Sequence, residues 1–135
     1  MMVKYLVDAS AIYPLIVKLR EELLTYMDMF VVLDLTKYEV GNVLWKEYKG
    51  GRIKDLGSIV ALFEMVFDSF GKLSIDRLDG VLRIAVERDL TFYDASYVYV
   101  AEKMGMSLVT EDHEILEKCS NAVNLETLLG MLSKN

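Results

Sequence analysis

The chain is poor in the residues that carry the most recognisable site chemistry. It has a single cysteine, Cys119, a single proline, Pro14, and a single histidine, His113. One cysteine makes no internal disulfide, which excludes a disulfide-stapled scaffold and suits a reducing cytoplasm. Cys119 reads as a small buried filler rather than a nucleophile. The lack of a histidine or cysteine set excludes a cage of zinc-ligand type, and His113 reads as an incidental surface residue rather than a general base. No stretch approaches the roughly 18 uninterrupted apolar residues that a membrane span needs. Lys4 and Asp8 interrupt any apolar run near Met1 that would serve as a signal peptide. With no Gly-, Ser- or Pro-rich linker, no internal repeat and no low-complexity tract, a single domain over residues 1–135 is expected.

What is present points to a packed core. Apolar residues make up 53% of the chain, above the roughly 45–50% usual for globular domains, which argues against disorder. A domain of this length buries about two-thirds of the surface its unfolded chain exposes. The formal net charge of −6 speaks against gripping nucleic acid by bulk charge, because phosphate affinity normally comes from lysine and arginine. A site built from acids carries its own negative charge until a cation arrives, so the placement of the basic residues decides the matter.

Val3-Lys4-Tyr5-Leu6-Val7 is short and mostly apolar, as a buried parallel strand should be. It ends at Asp8-Ala9-Ser10, where a helix opens with Pro14 in or near its first turn. Residues 21–29 read as a second helix and 30–33 as a second strand. A helix over 36–49 stops at Gly50-Gly51, and another spans 54–70. Residues 72–75 are extended, 77–88 and 93–104 helical, the latter closed by Gly105. A strand over 107–110, a short helix over 112–119, an edge strand at 122–124 and a terminal helix over 126–132 complete the chain. Strands alternating with helices predict an α/β fold, a three-layer α/β/α sandwich with a central, mostly parallel sheet.

Ligands of open parallel sheets bind beyond the carboxyl ends of the strands, and four acids fall there. Asp8 directly follows the first strand, and Asp112 follows the strand at 107–110. Glu39 lies in the first turn after the second strand, and Asp94 opens the helix over 93–104. Each also fits a helix cap: Asp8 and Asp112 as cap residues, Thr36-x-x-Glu39 as a capping box, Thr91-x-x-Asp94 as a near match. Helical spacing favours a site. Asp94 shares a stripe with Val98 and Ala101, Glu39 one with Asn42, Val43 and Lys46, and a carboxylate on a buried stripe is costly unless paired or metal-bound. Two like charges about 4–6 Å apart repel by roughly 3–4 kcal/mol at an effective dielectric near 20, so four gathered carboxylates would cost on the order of 10–20 kcal/mol without a cation. Helix N-termini recover only about 0.3–1 kcal/mol each. The all-oxygen donor set suits Mg²⁺ or Mn²⁺.

The segments Leu6-Val7-Asp8-Ala9-Ser10-Ala11, Tyr38-Glu39-Val40-Gly41-Asn42-Val43-Leu44, Tyr93-Asp94-Ala95-Ser96-Tyr97-Val98 and Leu108-Val109-Thr110-Glu111-Asp112 stand in a telling order and spacing. Through them the chain resembles the PIN-domain ribonucleases, especially the VapC toxins of bacterial and archaeal toxin–antitoxin pairs. The resemblance runs from Val3 to about Leu128; scarce arginine and an acidic balance depart from it. It implies an endoribonuclease whose Asp8, Glu39, Asp94 and Asp112 hold one or two Mg²⁺ or Mn²⁺ ions. Ser10 and Thr110 match hydroxyl positions beside that site, and Asn42, one turn after Glu39, would steady a ligand.

Two surfaces bear on partners. Lys46 and Lys49 continue the stripe of Glu39 and Asn42, and Arg52 and Lys54 follow, forming either a basic track for an RNA backbone or a solvated helix end. Tyr93, Tyr97 and Tyr99 suit base stacking or plain packing. The helix over 54–70 is apolar round most of its surface, so one face is expected in the core and another is left for a partner, unless the monomer buries it whole. The resemblance implies a cognate antitoxin or a second copy, making a homodimer. The alternative function is a PIN-like module that holds RNA or protein without cleaving. Phosphoryl transfer through an aspartyl nucleophile is disfavoured because no acid stands two residues after Asp8. A receiver domain is disfavoured because no lysine follows the strand at 107–110.

Overall fold

In the computed structural model, which describes residues 4–134, strand β1 is Tyr5–Val7 and leads through Asp8 into helix α1, Ala9–Leu19. Val3, expected in β1, lies outside the described residues. Pro14 is the sixth residue of α1, a turn deeper than expected. The helix expected over 21–29 is instead broken into a 3₁₀ turn at Arg20–Glu22, one α-turn, α2 (Leu23–Tyr26), and a second 3₁₀ turn at Met27–Met29. Arg20, at φ 49°, ends α1 and redirects the chain, and tight turns let ten residues return to the sheet.

Strand β2 (Phe30–Leu33) and helix α3 (Thr36–Lys49) take the bounds the hydrophobic pattern gives them. Helix α4 is Leu56–Ser69, capped by Asp55, whose carboxylate accepts from the Ser58 amide. Strand β3 is Gly71–Leu73, then α5 (Leu78–Arg88), α6 (Phe92–Met104), β4 (Ser107–Val109), α7 (His113–Lys118), β5 (Ala122–Val123) and α8 (Leu125–Leu132). Gly105 closes α6 in the left-handed region at φ 67°, where a side chain would be strained.

The five strands form one sheet in the order β3-β2-β1-β4-β5, and every pairing is parallel. Alternation along the strands sends side chains to two separate cores. Tyr5, Val7, Phe30 and Val32 face α1, α3, α4 and α8, while Leu6, Val31, Leu33 and Leu108 face α5, α6 and α7. This is the expected three-layer α/β/α sandwich. Strand order reverses between β1 and β4, and in such sheets that switch point opens a crevice at the strands' carboxyl ends. The Asp8 amide donates to the Val109 carbonyl at 3.1 Å, tying the two strand ends together there. Among the described residues no helix is long and apolar enough to cross a membrane.

Candidate active site

The switch-point crevice is a cavity of about 310 Å³ lined by Asp8, Ser10, Glu39, Asn42, Asp94 and Asp112, with Ala9, Val43 and Tyr97. Four separate elements therefore bring the four predicted acids to one cleft. Asp8 is buried as the N-cap of α1, where Oδ1 accepts from Ser10 Oγ at 2.7 Å and from the Ala11 amide at 3.1 Å. Burial pushes its pKa up to about 6 against the hydrogen bonds of Ser10, Thr110 and Ala11, with a smaller upward push from the Asp94 charge. Ser10 Oγ also accepts from the Glu111 amide at 2.9 Å and lies 3.3 Å from Thr110 Oγ1. Thr110 accepts from the Asp112 amide at 3.0 Å. Thr110 is fully buried, so it supports the cavity from behind rather than lining it.

Glu39 and Asp94 are half-buried, and burial raises both pKa values first. The Asp94 charge adds to the rise at Glu39, and the Asp112 charge to that at Asp94. The capping assignments divide. Asp8 and Asp112 are genuine caps, Asp112 Oδ1 accepting from the amides of Glu114 at 2.9 Å and Ile115 at 3.2 Å. Thr91 caps α6 by accepting from the Asp94 amide, which leaves the Asp94 carboxylate to the cleft. The Thr36–Glu39 capping box does not form. Leu35 is the N-cap of α3, and the buried Thr36 hydroxyl instead accepts from the Leu33 amide at 3.2 Å and meets Tyr97 Oη at 2.6 Å. Residues on the Glu39 stripe are also less buried than expected, Asn42 and Lys46 being exposed.

Tyr97 was one of three tyrosines suited to stacking or packing, and its part in the site escapes a local pattern. Its buried hydroxyl donates to Glu39 Oε1 at 2.7 Å. The available signal is its place on the buried stripe one turn after Asp94, since a buried phenol needs a polar partner. Tyr99 bonds Asp76 at 2.8 Å, away from the cleft, and His113 is exposed outside the cavity wall.

Lys46, Lys49, Arg52 and Lys54 are all exposed, and none lines the cleft. Arg52 is held by Glu47 at 2.5 Å, and Lys49 lies over the Trp45 ring at 5.0 Å. Lys46 and Lys54 make no ion pair among the described residues. The apolar helix α4 resolves into two faces: Phe63, Val66 and Phe67 enter the core, while Leu56, Val60 and Met65 stay exposed.

The fit of a divalent cation rests on the donor set. Among the described residues no three acid, histidine or cysteine side chains converge as a closed cage would require. Mg²⁺ needs no such cage, because it keeps several waters and binds through one or two carboxylates plus substrate phosphate. Four carboxylates round one open cleft, three of them raised in pKa by burial and by a neighbouring acid, match that mode.

No protein-family model matches the chain. It is 48% identical over 133 residues to "Exonuclease VapC9" of Pyrobaculum aerophilum, covering 98% of each chain. It is 34% identical to "Ribonuclease VapC3" of the same organism over 85% of this chain and 94% of the relative. Among solved structures, that of PAE2754 from Pyrobaculum aerophilum superposes with a TM-score of 0.90 at 47% identity, covering the whole of both chains. A toxin–antitoxin complex from Klebsiella pneumoniae shares the fold, with a TM-score of 0.63 at 15% identity over 89% of this chain and 96% of that one. Close to half its residues match one VapC protein from end to end, and a second VapC matches over most of the chain: it belongs to the VapC family.

Proposed function

We propose that the chain is a metal-dependent ribonuclease, the toxin of a toxin–antitoxin pair, acting through Asp8, Glu39, Asp94 and Asp112. The observation that carries it is the meeting of those four carboxylates, from four elements, in one cleft at the switch point of a parallel sheet. The names of its relatives, an exonuclease and a ribonuclease, support phosphodiester hydrolysis.

Asp8, Glu39, Asp94 and Asp112 would hold Mg²⁺ or Mn²⁺. An ion held there would supply a water of lowered pKa and charge neutralisation for hydrolysis at phosphorus. The protein's own part is positional. Ser10 and the Ala11 amide fix Asp8, Tyr97 fixes Glu39, and the cap bonds of α7 fix Asp112. Asn42, exposed beside Glu39, is placed to steady a phosphate, and the track of Lys46, Lys49, Arg52 and Lys54 leads the backbone away. Purified protein should cut RNA with Mn²⁺, stop in EDTA, and leave 5′-phosphate and 3′-hydroxyl ends; cyclic phosphates or activity in chelator defeat the mechanism. A circular RNA decides between internal cutting, which the sequence resemblance implies, and attack from an end, as the name of one relative says. Binding without any cleavage would favour the silent-module alternative.

The partner reading rests on two surfaces. A groove of about 330 Å³ between α3 and α4, with Leu44, Trp45, Tyr48, Leu56 and Val60 in its walls, suits an apolar segment of an antitoxin. On α5, Leu78, Leu82 and Val86 make an exposed stripe at four-residue spacing, a face suited to a second copy in a homodimer.

A further inference from the structure

Beside the acidic cleft, and sharing Glu39 and Asn42 with it, opens a second cavity of about 420 Å³ whose other walls are Leu35, Tyr38 and Tyr93. Both tyrosines stand in solvent, Tyr38 85% and Tyr93 61% exposed, and among the described residues neither hydroxyl makes a hydrogen bond. The Tyr93 and Phe92 rings stand nearly perpendicular, with their centroids 6.3 Å apart. Each tyrosine immediately precedes an acid of the cleft in the first turn of its helix, Tyr38 before Glu39 in α3 and Tyr93 before Asp94 in α6. One residue is about 100° of rotation on a helix, enough to turn the acid inward and leave its tyrosine on the lip. A lone exposed aromatic needs no explanation. Two of them, supplied by different helices to the wall of one cavity that adjoins a carboxylate cleft, make an aromatic slot next to the reacting centre.

We propose that this slot is a nucleobase subsite, in which an unpaired base next to the phosphate at the acidic cleft stacks on Tyr38 and Tyr93. The proposal rests on the ribonuclease reading and deepens it, because it makes the enzyme selective for single-stranded RNA. A phosphate would be repelled by the Glu39 carboxylate in the shared wall unless a cation intervened, whereas a base is uncharged and presents a flat apolar face to the rings. Every base has such a face, so aromatic stacking holds single strands with little regard to sequence. A base stacked inside a duplex cannot turn into the slot. The rest of the path fits the same strand. Helix α3 runs from Tyr38 past Glu39 and Asn42 to Lys46 and Lys49, and at 1.5 Å per residue the Glu39–Lys46 separation is about 10 Å along the axis. The base would lie at the start of α3, the scissile phosphate over its first turns, and the continuing backbone toward its basic end.

The test uses the full chain with Tyr38→Ala, Tyr93→Ala, their combination, and Tyr→Phe at each position. Binding of a labelled single-stranded RNA oligonucleotide is measured on an Asp94→Asn background, where turnover is stopped, and KM and kcat on the wild-type background with Mn²⁺. Each alanine should weaken binding on the order of 10-fold and raise KM, with kcat and melting temperature unchanged because both side chains are exposed. The phenylalanine variants, which keep the faces and lose only the hydroxyls, should behave as wild type. A blunt duplex should bind the parent and the double alanine variant alike. Alanine variants that bind and cleave normally would overturn the subsite and leave the slot to a protein partner; phenylalanine variants as weak as alanine would assign the hydroxyls instead of the faces and overturn it equally. Failure of the unsubstituted chain to bind or cut RNA would sink the ribonuclease reading, and the subsite with it.

Discussion

The Tyr97 hydroxyl donates to Glu39 Oε1 at 2.7 Å and lies 2.6 Å from Thr36 Oγ1. A phenol has one proton and a carboxylate only accepts, so Thr36 must donate to Tyr97, and Thr36 in turn accepts from the Leu33 amide at 3.2 Å. The chain of bonds runs in one direction, from the last residue of β2 to an acid of the cleft. Tyr97→Phe keeps the ring and removes the middle of it. The buried Thr36 hydroxyl loses its acceptor, and urea unfolding should show a loss of about 1–3 kcal/mol. The Glu39 pKa, raised by burial and held down by this bond, should rise further, so the variant should need more Mn²⁺ for half-maximal thermal stabilisation.

Asp8 gives the fold a dependence on pH. Its folded pKa of about 6 lies above the 3.8 of an ordinary aspartate, so it favours the folded state most below 3.8, and that advantage is lost as pH rises through about 6. The difference corresponds to about 3 kcal/mol. Asp8→Asn nearly keeps the shape and can still accept from Ser10 and Ala11. In EDTA the wild type should lose stability relative to this variant between those two pH values. Parallel curves for the two proteins would show that Asp8 is not the group responsible.

Much of this site is legible in the sequence because Asp8 directly follows a strand, Asp112 stands three residues after another, and Glu39 and Asp94 lie in the first turns of helices. Those positions are fixed by short-range patterns: four apolar residues ending at Leu33, a strong stop at Gly50-Gly51, the i+4 and i+7 partners of Asp94. What is not legible depends on partners far along the chain. Glu39 and Tyr97 are 58 residues apart, and nothing local says that Thr36 will turn away from its own helix end toward that tyrosine. A capping box is a local preference worth about 1 kcal/mol, and a buried phenol in need of a partner outweighs it. The broken segment between α1 and β2 has the same origin. Its composition permits a helix, but the chain turns at Arg20, with φ 49°, and Phe30 must come into register with Tyr5, a constraint that no local pattern carries.

The basic end of α3 should act through phosphate alone. Lys46→Glu combined with Lys49→Glu leaves the cleft untouched, because neither lysine lines it. RNA binding should weaken, and the slope of log K against log salt should fall by about 2, one for each lost contact. Removing the Lys49 charge from the Trp45 face should cost at most about 1 kcal/mol in stability. An unaltered slope would return both lysines to the role of a solvated helix end.

Asp94 and Asp112 face the same cleft but carry different structural duties, and this separates a metal cluster from a set of helix caps. Thr91, not the Asp94 carboxylate, caps α6, whereas Asp112 Oδ1 holds two amides at the start of α7. Asp94→Asn therefore removes a half-buried charge, raised in pKa by burial and by Asp112, without removing a cap. With its folded pKa raised, Asp94 opposes folding once ionised, so the apo variant at neutral pH should be as stable as wild type or more so. Asp112→Ala should instead cost about 0.5–2 kcal/mol without metal through loss of the cap, while Asp112→Asn should keep most of it. Mn²⁺ at about 100 times its Kd should stabilise the wild type by roughly 2.7 kcal/mol, a rise of several degrees in Tm for a domain of this size. All three variants should lose most of that rise together with cleavage. Melts in EDTA and in Mn²⁺ read both effects in one experiment. If Asp94→Asn is clearly destabilised without metal and still gains the full Mn²⁺ shift, Asp94 is a structural acid and the cation is held elsewhere.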